Sequence, residues 1–281
     1  MNRAFQIAGR TMKSNVNFKT ILYLLFTLLV GCVIFYLRIS VRLNLSDLRS
    51  LGAFYSTIFL SIGLIWFVGI PAFLYFSYLL ANSISEDINS GIALLVFTRP
   101  ITRKEFLFGR FLGLFLFFGI LNGLVLFSFP AIANVFLGVS ATFVSELFKV
   151  SAGLFVYSLL ISLAFAAFGV LLSTRIRKSL LSLAILFVAV LLIFALPLLL
   201  SLAGKPNAVP VVKPFYSVVQ PFGISIYPPA QGVKFTYSYV SSGSIIIENF
   251  SSWIYVIIFS TITPLVFLIL AMLSLSRQDI T

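Results

Sequence analysis

Residues 85–110 read SEDINSGIALLVFTRPITRKEFLFGR and separate two long hydrophobic runs. This stretch contains three of the seven acidic residues of the chain and four of its nineteen basic residues, and Pro100 divides it. Charge is scarce elsewhere, because 60% of the 281 residues are hydrophobic and only 9% are charged. A soluble domain has about 25% charged residues. The composition therefore predicts a protein whose main solvent is the lipid bilayer.

The hydrophobic runs set the predicted architecture. A spanning helix needs about 18 or more apolar residues, and helices are required because lipid offers no partner to exposed backbone groups. We expect an all-α integral membrane protein, one transmembrane domain over residues 1–281 with six transmembrane helices. The predicted spans are about 20–37, 52–80, 107–129, 150–172, 179–203 and 253–275. Pro71, Pro197 and Pro264 fall within spans, and each should bend its helix or free a carbonyl.

The distribution of lysine and arginine predicts the orientation. If the N-terminus is inside, most of the nineteen basic residues lie in inner segments, so both termini should be cytosolic. The first outer loop opposes this bias, with Arg38, Arg42 and Arg49. The net charge of +12 fits membrane edges that meet anionic lipid head groups. No nucleic-acid motif accompanies it, and we expect no nucleic-acid partner.

Residues 1–19 have the pattern of an amphipathic helix. One face would carry Phe5, Ala8, Gly9, Met12 and Val16, and the opposite face would carry Arg3, Gln6, Arg10, Lys13 and Asn17. A basic face opposite an apolar one predicts a helix that lies in the inner membrane interface. The alternative is a disordered basic tail, which Gly9 and the asparagines would favour.

Two further segments are predicted on the outer side. Residues 204–252 are rich in Pro, Tyr and Ser, and this long external segment should form a lid near the head groups rather than an unstructured loop. Residues 130–145 are uncharged, and they suit either an outer loop or a re-entrant piece.

The segment 82–106 predicts two helices with a break between them. The first helix should stop near Arg99, because the residue before a proline is pushed out of the α region. Thr102 and Glu105 have the spacing of a capping box that begins the next helix. Such an elbow, fed by two spans, could carry force from a soluble partner into the bilayer. The alternative is a solvated inner loop that follows the positive-inside bias.

This elbow resembles the inner loop of ABC transporter permeases of the six-span exporter class, the type-two permeases. That loop carries an acid, Gly-Thr, Leu-Leu, Pro with a small apolar residue, Ser-Arg and Gly-Lys. The chain offers Asp87, Gly91, Leu94-Leu95, Pro100-Ile101, Thr102-Arg103 and Gly109-Arg110, and it departs at Ile92 and Arg110. Arg277, Asp279 and Ile280 resemble the end of such permeases.

The resemblance implies a function for the whole chain. Two permease chains would form a homo- or heterodimer in the plasma membrane as multi-pass proteins, and cytosolic ABC ATPases would bind beneath them and drive export. The residues implied in coupling to the ATPase are Asp87, Gly91, Leu94, Leu95, Arg99, Pro100, Ile101, Thr102, Arg103, Lys104 and Glu105. The chain has no G-x-x-x-x-G-K-[ST] loop, so we expect ATP and Mg²⁺ on the partner ATPase, and no catalytic, cofactor or metal site here.

Other functional classes remain open at this point. A passive or ion-coupled transporter would be active without an ATPase. An ion-coupled one would usually carry a charge deep in a span, and none is found; this absence also favours an apolar or amphipathic cargo. An intramembrane enzyme needs a paired-carboxylate, Ser/His or metal constellation, which the sequence lacks. A structural membrane anchor would move no cargo. Some polar residues could line a path or simply join helices, namely Tyr23, Tyr55, Tyr75, Tyr78, Asn122, Asn134 and Tyr157.

Overall fold

The structure is a computed structural model. It describes residues 2–40, 48–85, 87, 101–137, 139, 141–176, 178–195, 224–227, 234–237 and 250–276.

Helices form nearly all of the described part. They are α1 (Asn2–Asn15), α2 (Phe18–Ser40), α3 (Leu48–Ile62), α4 (Ile70–Ser83), α5 (Arg103–Leu137), α6 (Ala141–Arg175), α7 (Ser179–Val190) and α8 (Phe250–Ser276). Two π-helical segments, Gly63–Phe67 and Leu191–Ala195, follow α3 and α7. Strands β1 (Ile224–Tyr227) and β2 (Lys234–Tyr237) pair antiparallel within the predicted external segment.

Five described helical stretches are long and apolar enough to cross a membrane. They are Phe18–Ile39, Phe54–Ser83, Arg103–Phe136, Phe143–Arg175 and Ile258–Ser276, and they overlap the first four predicted spans and the sixth. In the predicted fifth span the described residues form a shorter apolar helix, Ser179–Ile193. Residues 196–203 lie outside the described residues, so the fifth span, the count of six spans and the cytosolic termini stay predictions.

The second span is broken in its middle, where Pro71 predicted a bend. The π-helical segment Gly63–Phe67 ends the first half, and Pro71 stands in the first turn of α4. Gly69 lies between the halves, and a Cβ there would collide with the carbonyl oxygens of Leu64 and Ile65. Only glycine therefore allows this close passage of the backbone. At Pro264 the helix α8 continues, and Pro197 lies outside the described residues.

The stretch 130–145 is largely helical, which corrects the expectation of a loop or re-entrant piece. Helix α5 continues through Pro130 to Leu137, and α6 begins at Ala141, so each has 35 residues. Such a helix is about 52 Å long, longer than the hydrocarbon core. Asn134 closes the connection by donating from its side-chain amide to the carbonyl of Val139 at 2.8 Å. The predicted spans were too short here because proline is tolerated in membrane helices.

Phenylalanine fills the interior at two levels. Rings from four elements meet near one end, where Phe59 stacks on Phe129 at 4.8 Å between centroids and Phe35 meets Phe129 edge-on at 5.2 Å. In a second cluster Phe76 stacks on Phe118 at 4.1 Å. Large apolar side chains on the outer face of α2 are exposed. That exposure suits a helix that faces lipid.

Candidate coupling elbow

The structure describes part of the predicted elbow. Asp87, Ile101, Thr102, Arg103, Lys104 and Glu105 are described, whereas Gly91, Leu94, Leu95, Arg99 and Pro100 lie outside the described residues. The described residues lie at the two ends of the elbow, where it joins α4 and α5. We call these two ends the bases of the elbow.

The predicted capping box is present at the start of α5. The backbone N–H and the hydroxyl of Thr102 both donate to Oε2 of Glu105 at 2.9 Å, and the N–H of Glu105 donates to Oγ1 of Thr102 at 3.2 Å. This reciprocal arrangement satisfies donors that the first helical turn leaves without partners. Helix α5 therefore begins at a fixed point, directly after the elbow.

An ion pair joins the two bases of the elbow. Nη2 of Arg110, on the second turn of α5, donates to Oδ2 of Asp87, which follows α4. The two side chains are 19% and 10% exposed, so water screens the pair weakly. Arg110 also lies over the ring of Phe106, 5.7 Å from its centroid. The pair places the acid and the basic residue of the family-like pattern in direct contact, which the sequence spacing did not show.

A serine on α6 forms hydrogen bonds with the base of the elbow that follows α4. Oγ of Ser173 accepts hydrogen bonds from the N–H groups of Ile84 and Ser85 at 3.1 and 3.0 Å. All three residues are buried. A buried N–H is costly without a partner, so Ser173 stabilises the end of α4 against α6. No local pattern indicates this role, because Ser173 is one of many serines in apolar helices.

Arg103 is bound within the chain rather than directed toward a partner. Its Nη1 donates to the carbonyl oxygens of Leu275 and Ser276 at 2.9 and 3.2 Å. These carbonyls belong to the last turn of α8, where a cation also complements the helix dipole. The neighbouring Lys104 is exposed.

Helix α1 docks on α5 beside the ion pair. A Cβ at Gly109 would lie 2.8 Å from the Ala4 carbonyl, and one at Gly113 would lie 2.8 Å from that of Ala8. The small residues on both helices let the backbones approach closely. Thr11, one turn further along α1, is 3.4 Å from Nη1 of Arg110. The spacings Ala4-x-x-x-Ala8 and Gly109-x-x-x-Gly113 could have indicated this seam.

The docking seam revises the predicted faces of α1. Residues 2–15 form the expected helix, but its buried stripe is Ala4, Ala8 and Thr11. Phe5 and Val16, assigned to the apolar face, are 52% and 64% exposed. The glycines of α5 let this stripe of small residues approach closely, while Ile7 and Met12 pack partly buried beside it.

These contacts tie five helices together at one end of the bundle. Arg110 connects α5 to α1 and to the end of α4, Ser173 connects α4 to α6, and Arg103 connects α5 to α8. We call the set Thr11, Asp87, Arg103, Arg110 and Ser173 the elbow anchor. A displacement of the elbow would act on all five helices.

A family model described as ABC-2 family transporter protein matches residues 79–280. The chain belongs to this ABC-2 family. The matched range begins in α4 and contains the whole predicted elbow 82–106. Comparison with curated proteins gives no match. Membership makes the chain a multi-pass membrane permease of an ABC transporter, and it implies association with an ATP-binding subunit.

The polar residues inside this ABC-2 permease mainly join helices. Asn122 is buried on α5 and donates to Oγ of Ser158 on α6 at 2.6 Å. Tyr75 on α4 shares a hydrogen bond of 2.7 Å with Thr20 on α2, and its ring stacks on Tyr23 with 4.2 Å between centroids. These contacts favour the helix-joining role over a polar path.

The remaining tyrosines of the ABC-2 permease fit the same description. Tyr78 accepts a hydrogen bond of 3.0 Å from Lys19, and Tyr55 packs against Phe35 and Phe143. Tyr157 is buried. Within the described ranges no group of three or more His, Cys, Asp or Glu side chains could hold a metal ion.

Proposed function

We propose that this ABC-2 permease is the membrane subunit of an exporter in the plasma membrane. Two such chains would pair, and a separate cytosolic ABC ATPase would bind ATP and Mg²⁺ and act on the elbow 82–106. The observation that carries the proposal is the elbow anchor, which connects both bases of the elbow to five helices. A solvated loop that only obeyed the positive-inside bias would need no such connection.

The anchor suggests how work would reach the bilayer. If the tip is pushed, the ion pair between Asp87 and Arg110 keeps the two bases together, so α4 and α5 move as a unit. The break at Gly69 and the π-helical segment before it provide a position where the inner half of the second span can turn relative to the outer half. Such segments are frequent at functional sites. ATP binding by the partner would then favour one of two arrangements.

An apolar or amphipathic cargo fits the charges of the spans. Among described residues the buried acidic side chains are Asp87 and Glu146. Asp87 pairs with Arg110 and Glu146 pairs with Lys149 at 2.9 Å, and both pairs lie near helix ends. Ion-coupled carriers usually keep charges deeper in the membrane. ATP-driven movement of a lipid-like substrate is therefore the function we favour.

The proposal is tested by isolating the tagged permease from its own membranes under mild conditions. We expect a P-loop ATPase to accompany it, with ATP turnover that requires both chains. The double variant Arg99→Ala, Lys104→Ala should lose the ATPase while still inserting. Arg103 is left unchanged because it holds α8. A matched control, Arg175→Ala with Lys178→Ala, removes equal charge from another predicted inner loop and should retain the ATPase.

Three results would contradict the proposal. Unchanged association and turnover in the Arg99, Lys104 variant would reduce the elbow to a solvated loop. A complex that hydrolyses ATP but moves no lipid-like or drug-like substrate in reconstituted vesicles would favour the structural anchor. Transport by the isolated permease without an ATPase would favour a passive carrier.

A further inference from the structure

A lateral groove lies between α2 and the broken second span. Its volume is about 460 Å³. The walls are mainly apolar, with Ile34 from α2 facing Ile58 and Ile65, and Trp66 forms one end. Arg38, in the last turn of α2, lines the groove as well. The groove therefore combines an apolar wall with one cation.

The tryptophan and the arginine are separated along the axis of α2. Nε1 of Trp66 donates to the carbonyl of Thr27 at 3.1 Å, and Thr27 lies about 16 Å from Arg38 along α2 at 1.5 Å per residue. This length is close to the thickness of one leaflet, because the whole hydrocarbon core is about 30 Å thick. An acyl chain that begins at Arg38 would thus reach Trp66.

The charge at the mouth of the groove indicates the sign of the ligand. Residues 38–49 contain the arginines Arg38, Arg42 and Arg49 against the single acid Asp47. They are the arginines that oppose the positive-inside bias, so topology gives no reason for them. Arg38 is exposed, and neither ion pair seen among the described residues involves it. A cation at the edge of an apolar groove complements an anionic head group.

We propose that this groove binds a membrane phospholipid with an anionic head group, its phosphate at Arg38 and one acyl chain along Ile34, Ile58 and Ile65. The lipid would come from the leaflet that faces the end of α2, which is the outer leaflet in the orientation that we predict. The proposal does not depend on the ATPase or on the direction of transport.

The groove contains its own fluorescent reporter. The chain has two tryptophans, Trp66 and Trp253, so Trp253→Phe leaves the indole that lines the groove. The permease is placed in bilayers that contain brominated phosphatidylglycerol or brominated phosphatidylcholine at equal mole fraction. We expect an apparent affinity about fivefold higher for the anionic lipid, the preference that one arginine near an anionic head group supplies.

Three variants test whether Arg38 causes the preference for the anionic lipid. Arg38→Gln should remove it, and Arg38→Lys should retain it because the positive charge remains. Lys149→Gln removes a different cation on the predicted outer side and should leave the preference unchanged. The elution profile of each variant in size-exclusion chromatography checks that it is folded.

Several results would overturn the proposal. Equal quenching by the two lipids would show that the groove does not select charge. A preference that survives Arg38→Gln, or that is lost in Arg38→Lys, would exclude the charge of Arg38 as its cause. A preference that Lys149→Gln also abolishes would come from the general charge of the surface rather than from the groove.

Discussion

Arg110 and Asp87 form an ion pair across the two bases of the elbow, and both side chains are mostly buried. The same arginine reaches Thr11 on α1. One side chain therefore connects the N-terminal helix, the end of the second span and the start of the third.

Loss of Arg110 should loosen the anchor. Arg110→Ala leaves the Asp87 carboxylate without its partner in a largely buried position. We expect a destabilisation of about 2 kcal/mol, below the cost for a fully buried pair because Arg110 keeps some exposure. Thermal unfolding of the purified permease measures it.

A double-mutant cycle shows whether the ion pair between Arg110 and Asp87 is itself responsible for this loss of stability. If Arg110→Ala and Asp87→Asn each lower the melting temperature, the combined variant should lower it by clearly less than the sum of the two. Additive effects would mean that the residues stabilise the fold separately.

Glycine-to-alanine substitutions on the two docked helices should act in opposite directions. At Gly113 the new Cβ would lie 2.8 Å from the Ala8 carbonyl, whereas at Gly9 nothing lies within 4 Å. Gly113→Ala should therefore separate α1 from α5, and Gly9→Ala should stabilise α1 by up to about 1 kcal/mol through helix propensity.

Cysteine labelling measures this docking. In a Cys32→Ser background, a cysteine at the buried Ala8 should react slowly with a thiol reagent. The reaction should become faster with Gly113→Ala and stay slow with Gly9→Ala. Equal rates in all three proteins would show that α1 does not depend on the close approach at Gly113.

Arg103 should hold the end of α8. Arg103→Ala removes the donor to the carbonyls of Leu275 and Ser276, so amide hydrogen exchange in the last turn of α8 should become faster. Lys104→Ala serves as the control and should leave that exchange unchanged. Faster exchange in the control would indicate a general loss of charge at this end of the bundle.

The break in the second span should require glycine at position 69. The backbone passes so close to the carbonyls of Leu64 and Ile65 that Gly69→Ala must displace it. We expect a lower melting temperature and slower coupled ATP turnover. Ser61→Ala, on α3 of the same span, is the control, because its hydroxyl bonds only the Thr57 carbonyl within its own helix. Normal turnover in Gly69→Ala would exclude the break as a hinge.

Local patterns in the sequence predicted local structure well. The capping box of Thr102 and Glu105 depends on residues three positions apart, and its hydrogen bonds are present. The amphipathic pattern also predicted helix α1. It placed Phe5 and Ala8 on the same apolar face, of which Ala8 is buried and Phe5 is exposed, because periodicity does not show which neighbour a helix will meet.

Contacts between distant segments were not predictable in this way. Arg103 donates to the carbonyl of Leu275 in α8, 172 residues away in the chain. Ser173 accepts hydrogen bonds from backbone N–H groups 88 and 89 residues earlier. Nothing in a single sequence distinguishes such a serine or arginine from its neighbours. The uncharged run from Pro130 suits a loop or re-entrant piece by its sequence, yet most of it is helical, because a membrane helix tolerates proline.

The side of the membrane on which the elbow lies is the most direct test of the central claim. In a Cys32→Ser background, Lys104→Cys places a thiol at an exposed position in the first turn of α5, and Arg42→Cys places one in the predicted outer loop. A membrane-impermeant maleimide is applied to intact and to permeabilised cells. We predict that Arg42→Cys reacts in both, and that Lys104→Cys reacts only after permeabilisation. Labelling of Lys104→Cys in intact cells would place the elbow outside, where no cytosolic ATPase can reach it, and would contradict the account.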